Sequence, residues 1–236
     1  MKEYLKRING ENRNEYYNRL KNDIQNSKRQ FIITVNPEIL MSAAKDEEVD
    51  KMLLDESVSL IPDGIAVVKA CLMNGFQVKE RIAGVEIAEF LISELDRQKK
   101  TLYLFGAKND VVEALCEKIK KEYPNVKIAG YSHGFTEDKD KIFDEIALCS
   151  PDVCLVALGV PAQEKLIYKN IGRFDKGIFV GVGGSFDVLS GKKKRAPEFF
   201  IKHDLEWLYR ILREPSRLRR FYNNNIKFLY KVKKEK

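Results

Sequence analysis

Short apolar runs of strand length alternate along this chain with longer stretches in which apolar residues recur at helical spacing. The runs predicted as strands are Phe31–Val35, Val58–Ile61, Leu102–Phe105, Val126–Ala129, Val153–Leu158 and Ile178–Val182. The stretches predicted as helices are Pro37–Leu54, Val85–Gln98, Asp110–Glu122 and Lys139–Cys149. Alternation of this kind is typical of a parallel sheet covered on both faces. The pattern therefore predicts an α/β fold, with a Rossmann-like parallel sheet and helices on both of its faces.

Small and polar residues follow nearly every predicted strand. They include Thr34-Val-Asn-Pro-Glu38, Pro62-Asp-Gly64, Gly159-Val-Pro-Ala-Gln-Glu164 and Gly181-Val-Gly-Gly-Ser-Phe-Asp187. In parallel sheets ligands bind at this carboxyl edge, where glycines let backbone N–H groups approach phosphate. The sequence thus predicts a cleft for a nucleotide-type ligand. An NAD site is disfavoured because Phe186 stands where the third glycine of G-x-G-x-x-G belongs, and the Walker pattern is absent.

Length and composition fit one compact α/β domain, predicted over residues 1–195, and an appendage over residues 196–236. The chain has 236 residues, of which 44% are hydrophobic and 33% charged. It shows no secretory signal and no run of about 18 apolar residues, so we expect a cytosolic protein. Its four cysteines form no C-x-x-C pair, which disfavours structural zinc. Asp138-Lys-Asp140 fits a capped helix start better than a metal site.

The positive charge of the chain is concentrated in its last fifth. From Lys192 to Lys236 there are 15 Lys and Arg against 5 Asp and Glu, while the whole chain carries +7. The same segment has apolar residues at helical spacing, at Leu205, Leu208 and Leu212. Basic amphipathic helices of this kind are typical of segments that bind anionic membrane surfaces. Ordinary packing on the domain is the main alternative, and nucleic acid is disfavoured because no aromatic strand platform is evident.

Eight motifs, taken in order along the chain, carry a family resemblance. They are Thr34-Val-Asn-Pro-Glu38, Pro62-Asp-Gly64, Arg81-Ile-Ala-Gly84, Leu104-Phe-Gly106, Gly159-Val-Pro-Ala-Gln-Glu164, Gly181-Val-Gly-Gly-Ser-Phe-Asp187, Arg195-Ala-Pro197 and Leu205-Glu-Trp-Leu-Tyr-Arg-Ile-Leu-Arg-Glu-Pro215. In this order they resemble the WecG/TagA/CpsF family of bacterial glycosyltransferases over roughly residues 10 to 232. The resemblance implies inverting transfer of a sugar from a UDP donor to a lipid-linked diphosphate acceptor at the cytoplasmic face of the membrane. It also implies that the basic C-terminal appendage, residues 196–236, closes the site at the membrane. For the branch with the strongest resemblance, it implies transfer of N-acetylmannosamine to undecaprenyl-diphosphate-linked N-acetylglucosamine in wall teichoic acid synthesis.

The resemblance also implies a role for individual residues. Asp63 is expected to be the base for the acceptor hydroxyl, and Arg81 to stabilise the departing diphosphate without a metal ion or other cofactor. Thr34, Asn36 and Gln163 are expected to hydrogen-bond the sugar or the acceptor, although Asn36 could instead cap a helix. The residues expected to contact the donor through backbone or side chain are Gly64, Gly106, Gly159, Gly181, Gly183, Gly184 and Asp187. The residues expected to contact lipid phosphate or the acceptor diphosphate are Arg210, Arg213, Arg217 and Arg220.

Three alternatives stay open at this stage. A nucleotide-sugar-binding module without catalysis would keep the cleft and need no base at Asp63. A membrane-peripheral scaffold would depend on the appendage and not on the residues at the strand ends. Within the enzymes, another UDP-sugar such as a uronic acid or a hexose could be the donor. Apolar residues of the appendage could also be buried in a homo-oligomer when no membrane is present.

Overall fold

The fold is a six-stranded, fully parallel sheet between two layers of helices, as the sequence pattern predicts. The computed structural model describes residues 1–235, with all their side chains except those of Arg217 and Arg220. The strands are β1 (Arg29–Val35), β2 (Val58–Pro62), β3 (Thr101–Gly106), β4 (Lys127–Ser132), β5 (Val153–Ala157) and β6 (Gly177–Gly181). Their order across the sheet is β2-β1-β6-β5-β3-β4. All six predicted strands are confirmed, to within two residues at each end except at the end of β4, which runs three residues beyond the prediction.

Helices cover both faces of the sheet. In chain order they are α1 (Lys2–Lys6), α2 (Arg13–Gln25), α3 (Pro37–Ser42), α4 (Glu47–Leu54), α5 (Ile65–Met73), α6 (Gly84–Gln98), α7 (Asn109–Glu122), α8 (Lys139–Cys149), α9 (Ala162–Asn170), α10 (Ser185–Leu189), α11 (Glu198–Lys202), α12 (Glu206–Arg213), α13 (Arg217–Phe221) and α14 (Lys227–Lys234). One apolar core lies under α1, α3, α4, α5, α8, α9 and α14. The other lies under α2, α6, α7 and α10.

The strand residues reach these two cores because successive side chains of a strand point to opposite faces. In β5, Cys154 and Val156 belong to one core, while Val153 and Leu155 belong to the other. All four are fully buried. Burying a side chain such as Val or Leu contributes roughly 1.5–3 kcal/mol. A central strand that is apolar on both faces is thus held from both sides and gives the site a rigid base.

The predicted helix over residues 37–54 is wrong in one respect, because the structure has two helices there. The side chain of Asp46 accepts hydrogen bonds from the backbone N–H groups of Glu48 (3.2 Å) and Val49 (3.3 Å), so α4 begins at that point. A capped start of this kind separates two helices that share one apolar stripe. Asp138 caps α8 in the same way, accepting from the N–H of Lys141 at 3.0 Å, as the sequence indicated.

The C-terminal segment consists of two parts that are held differently. From α13 through a π-helical turn (Tyr222–Ile226) to α14 the helix runs without a break, and Phe228 and Val232 of α14 are buried in a core. In contrast, the described side chains of α11, α12 and α13 contribute nothing to either core. Within residues 1–235, no helix has both the length and the apolar character needed to cross a membrane.

The topology places a crevice at the carboxyl edge of the sheet between β1 and β6. These two strands are neighbours, but β1 leads into α3 on one face and β6 leads into α10 on the other. A point at which neighbouring strands connect to opposite faces leaves room between the two departing chains, and ligands of open α/β sheets bind there.

Candidate active site

Thr34 and Asp63 lie at the carboxyl ends of the neighbouring strands β1 and β2, next to this crevice. The hydroxyl of Thr34 donates a hydrogen bond to the carbonyl oxygen of Gly181 at 3.2 Å, which ties β1 to β6. The backbone N–H of Asp63 donates to the carbonyl oxygen of Val35 at 2.8 Å, which ties the turn after β2 to β1. Gly84 begins α6 so close to Thr34 that a Cβ atom there would lie 3.3 Å from the threonine hydroxyl. The strand ends and α6 therefore hold both side chains in place.

The carboxylate of Asp63 faces one cation and one helix start. Its Oδ1 atom lies 3.4 Å from Nε of Arg81, and its Oδ2 atom lies 3.5 Å from the N–H of Gly84. Burial raises the pKa of Asp63 above its ordinary value, against the opposing effect of the Arg81 and Arg210 guanidinium groups. The side chain keeps 27% of its surface exposed. A carboxylate with a raised pKa that substrate can still reach is suited to accept a proton from a hydroxyl.

Each of the three nitrogen atoms of the Arg81 guanidinium faces a carboxylate. Nε faces Asp63, Nη2 donates to Oε2 of Glu206 at 2.9 Å, and Nη1 lies 4.0 Å from Oδ1 of Asp204. Burial lowers the pKa of Arg81, but Asp63 and Glu206 outweigh that effect and hold it above its usual range. Arg81 therefore carries its charge at every working pH and is surrounded by negative charge in this conformation.

Glu206 is the residue of this site that sequence reasoning missed. It is the first residue of α12 and is 4% exposed, with Oε2 bound to Arg81 and Oε1 bound to Arg210. Burial would raise the pKa of its carboxyl, but Arg210 and Arg81 outweigh burial and hold it below the ordinary value. Its partner Arg81 lies 125 residues earlier in the chain. No local pattern signals such a contact; the only sequence clue is an acidic residue at the start of an otherwise basic, apolar helix.

Gln163 connects the loops that follow β5 and β6. Its Oε1 atom accepts from the N–H groups of Leu158 (3.3 Å), Gly159 (3.1 Å) and Gly183 (3.0 Å). Its Nε2 atom donates to Oε1 of Glu164 at 2.7 Å. The side chain is 1% exposed. In this conformation Gln163 shapes the glycine loops, and any contact with substrate requires those loops to open.

Glu164 lies directly behind Gln163 and is fully buried. Among the residues that the structure describes, no cation pairs with it and its Oε2 atom has no hydrogen-bond partner. Burial raises the pKa of Glu164 to about 7, the hydrogen bond from Gln163 opposes this, and the nearby charge of Glu38 adds to it. An ionised carboxylate without a partner is costly in such a place, so the group holds a proton up to near-neutral pH.

The glycines of the predicted site are needed where chains approach closely. At Gly106, with φ +127°, a Cβ atom would lie 2.3 Å from the carbonyl oxygen of Ala157. At Gly181 a Cβ atom would lie 2.6 Å from Nε2 of Gln163. Side chains at these two positions would therefore separate the strand ends from the groups that bind them. The glycines at which a Cβ atom would meet no such obstacle are Gly64, Gly159, Gly183 and Gly184.

The remaining predicted site residues make contacts of different kinds in this structure. Oδ1 of Asn36 accepts from the N–H groups of Glu38 (2.9 Å) and Ile39 (3.1 Å), so Asn36 caps α3, the alternative that the sequence left open. Asp187 lies on α10, with its carboxylate 3.7 Å from Lys193. Arg210 reaches the site through Glu206, and Arg213 stacks on the Tyr209 ring at 5.9 Å. Arg217 and Arg220 were also predicted as site residues, and their side chains lie outside the described part of the structure.

A second recess opens at the same edge of the sheet, beyond β3 and β4. It has a volume of about 220 Å³ and lies between α7, the loop after β4 and α8. Its lining residues are Asn109, Tyr131, Ser132, His133, Thr136 and Ile142. In the part of the chain that the structure describes, no group of three or more His, Cys, Asp or Glu is arranged to hold a metal ion.

Comparison with known proteins gives one consistent family. The profile of the glycosyl transferase WecG/TagA/CpsF family matches residues 5–236. An N-acetylglucosaminyldiphosphoundecaprenol N-acetyl-beta-D-mannosaminyltransferase of Bacillus subtilis is 42% identical over 87% of this chain and 80% of its own length. A protein of the same name from Bacillus spizizenii is 41% identical over 84% of this chain and 76% of its own length. Another, from Staphylococcus aureus, is 35% identical over 90% of this chain and 83% of its own length.

Proposed function

Because this chain belongs to the WecG/TagA/CpsF family of glycosyl transferases, we propose that it transfers N-acetylmannosamine from UDP-N-acetylmannosamine to N-acetylglucosaminyldiphosphoundecaprenol. The product would be the linkage unit of wall teichoic acid. The observation that carries the proposal is that relatives 35–42% identical over most of this chain share that name. The carboxylate–arginine pair at the crevice supplies the groups that such a transfer needs.

The proposed reaction is a single displacement at the anomeric carbon of the donor sugar. The acceptor hydroxyl oxygen attacks that carbon and loses its proton to Asp63, while the bond from the carbon to the UDP oxygen breaks with inversion. The electron pair of that bond leaves with UDP, whose growing negative charge Arg81 would stabilise. General-base catalysis of this kind contributes typically 10²–10⁴-fold. The raised pKa of Asp63 supports its assignment as base, because it makes the carboxylate a better proton acceptor.

Substrate positioning is proposed for the strand-end residues. Thr34 lies within the same crevice as Asp63, where its hydroxyl can exchange the Gly181 carbonyl for a sugar group. Asn36 would use its Nδ2 amide, since its Oδ1 atom caps α3. Gln163 would act once the loops open, and Asp187 would contact the ribose. The glycines proposed to bring backbone to the donor are Gly64, Gly106, Gly159, Gly181, Gly183 and Gly184.

Binding at the cytoplasmic face of the membrane is proposed for residues 196–236, the appendage to the α/β domain. An acceptor with an undecaprenyl chain lies in the bilayer, so the enzyme must reach the surface. Leu212 and Leu218 are 66% and 58% exposed on a segment rich in arginine, which suits the boundary between headgroups and acyl chains. Arg210, Arg213, Arg217 and Arg220 would meet lipid phosphate or the acceptor diphosphate there.

Donor choice tests the proposal directly. UDP release would be measured with a short-chain lipid-diphosphate N-acetylglucosamine acceptor and, in turn, UDP-N-acetylmannosamine, UDP-N-acetylglucosamine and UDP-glucose, with and without EDTA. We expect release with UDP-N-acetylmannosamine alone and no loss in EDTA, because arginine cations supply the positive charge. Faster release with another donor would replace the proposed sugar, and complete loss in EDTA would contradict the role given to Arg81.

A further inference from the structure

The loop that leads into α6, residues 80–84, carries two groups that face Asp63. The Nε atom of Arg81 lies 3.4 Å from one oxygen of the Asp63 carboxylate, and the N–H of Gly84 lies 3.5 Å from the other. Both distances are long for hydrogen bonds, so a small displacement of this α6 entry loop would break them. The contacts that fix the loop therefore also fix the surroundings of the carboxylate.

Glu86 holds the α6 entry loop from inside the helix. It is the third residue of α6 and is half-buried. Its Oε2 atom accepts from the backbone N–H of Ala83 at 3.3 Å, which is the bond that a glutamate at this position makes in a capping box. The same carboxylate also binds two arginines, one from each end of the chain.

Arg13, the first residue of α2, binds Glu86 and the α6 entry loop together. Its backbone N–H donates to Oε1 of Glu80 at 2.7 Å. Its Nη2 atom lies 3.0 Å from Oε2 of Glu86 and 3.4 Å from the carbonyl oxygen of Arg81. A planar guanidinium has donors in fixed directions and suits such a link. One side chain thus joins Glu86 to the backbone of the arginine that faces the site.

Arg195 binds Glu86 from the other end of the chain. Its Nη2 atom donates to Oε1 of Glu86 at 2.7 Å, and its Nη1 atom lies 3.7 Å from Oε2 of Glu89. Arg195 is the last residue before the appendage, residues 196–236. The side chains of Arg195 and Glu86 are 22% and 15% exposed, and ion pairs that are partly buried are screened much less by salt than surface pairs.

We propose that Glu86 is a positioning residue for the sugar transfer, which holds the α6 entry loop against Asp63 through its two arginine partners. This role rests on the proposed function, which makes Asp63 the base. Glu86 acts through the placement of Arg81 and of the Gly84 N–H, and not on the substrates themselves. Because Arg195 shares the carboxylate, the same contact fixes the point at which the appendage leaves the α/β domain.

Displacement of the α6 entry loop has a defined electrostatic effect on Asp63. Burial raises the pKa of Asp63, and the charge of Glu206 adds to that rise. The Arg81 and Arg210 guanidinium groups and the N–H of Gly84 lower it. Moving the loop away weakens the contributions of Arg81 and Gly84, so the pKa of Asp63 rises further. Loss of the Glu86 charge without movement has the opposite sign, because removal of a negative charge favours the ionised carboxylate.

Glu86→Gln tests the role, with Glu48→Gln as the matched control. Glutamine keeps the capping bond at the third helical position but loses the charge that binds both arginines. Glu48 also lies in the first turn of its helix, α4, and pairs with Lys165 of α9 at 2.8 Å. Carbon-13 NMR would follow the titration of the Asp63 carboxyl in the full-length protein and both variants, with circular dichroism to confirm folding. We expect the pKa of Asp63 to be higher in Glu86→Gln and unchanged in Glu48→Gln.

Turnover gives a second readout. We expect kcat of Glu86→Gln to fall by about 10-fold to 10²-fold, the range typical when an outer contact that orients a functional side chain is lost. The rise of its activity with pH should move to higher pH together with the Asp63 titration. Arg195→Gln leaves the capping bond of α6 in place and should shift both readouts in the same direction, so it provides the test if Glu86→Gln does not fold.

The outcomes separate the role of Glu86 from the proposed function. An Asp63 pKa that is unchanged or lowered in Glu86→Gln overturns the positioning role and leaves the transferase proposal standing. If the unmodified protein releases UDP from no donor, the proposed function is overturned, and the NMR titration still decides whether Glu86 holds the α6 entry loop.

Discussion

Two glutamates at the candidate site are almost equally buried and have opposite electrostatic surroundings. Glu164, behind the loops after β5 and β6, meets an amide and, in the described part of the chain, no cation, and its pKa rises to about 7. Glu206, at the start of α12, meets two arginines, and its pKa falls below the ordinary value. The group behind the loops is thus a carboxyl that is neutral up to near-neutral pH, whereas the buried carboxyl of the C-terminal segment is charged and paired.

Arg81 contacts both Asp63 of the α/β domain and Glu206 of the C-terminal segment, and removing it should have the largest effect on activity. Arg81→Gln leaves Glu206 with one partner and takes the proposed leaving-group cation from Asp63. We expect kcat to fall by about 10²–10³-fold, as for loss of other transition-state charge contacts. Because Arg81 also lowers the pKa of Asp63, the rise of activity with pH should move to higher pH. Arg97→Gln, which removes an exposed partner of Glu94, is the control, and an unchanged pH profile in Arg81→Gln would contradict the assignment.

Neutralising Glu164 should change the stability of the fold rather than the rate of sugar transfer. The pKa of Glu164 lies near 7 in the folded protein against 4.5 as its ordinary value, so the folded state binds the proton more strongly and stability falls as pH rises between those values. Glu164→Gln does not titrate and should gain stability relative to the unmodified protein over that window, by roughly 3 kcal/mol at pH 8. Urea unfolding at pH 5 and pH 8 measures this. A difference between the two proteins that is the same at both pH values would contradict it.

Acid should release the C-terminal segment by protonating Glu206, with a smaller effect on stability than the substitution of Glu164 has. The pKa of Glu206 is lowered in the folded state, so its stabilising contribution is present above the unfolded value and is lost as pH falls through the folded one. Trp207 is the single tryptophan of the chain and follows Glu206 directly, so its fluorescence reports on this segment. We expect an acid transition in that fluorescence before the far-ultraviolet circular dichroism of the α/β domain changes. Glu206→Gln should lack the early transition, and its persistence there would assign it to another group.

Most of the fold could be predicted because it depends on local periodicity. Val153–Ala157 is apolar throughout, as a central parallel strand must be, and the sequence alone identifies it. The break between α3 and α4 could not be predicted in the same way, because one apolar stripe continues through it and only the Asp46 side chain marks the new start.

The candidate site could be predicted only in part, for a related reason. Thr34 at the end of β1 and Asp63 directly after β2 could be placed at the site because the topology of a parallel sheet brings strand ends together. Their expected roles came from the family resemblance. Glu206 was not, because its position depends on how a distant helix docks. For Gln163 the sequence indicated the right place at the sheet edge, but the bonds of its side chain to three backbone N–H groups follow from loop geometry.

The most direct test of the central claim, that Asp63 is the base of a sugar transfer, is a single-turnover measurement. Formation of the N-acetylmannosaminyl lipid would be followed by mass spectrometry for the unmodified protein, Asp63→Asn, and Asp144→Asn as a control in which an exposed partner of Arg173 is neutralised. We predict that Asp63→Asn binds UDP normally and forms product about 10²–10⁴-fold more slowly, while Asp144→Asn matches the unmodified protein. Product formation by Asp63→Asn at the unmodified rate would contradict the account.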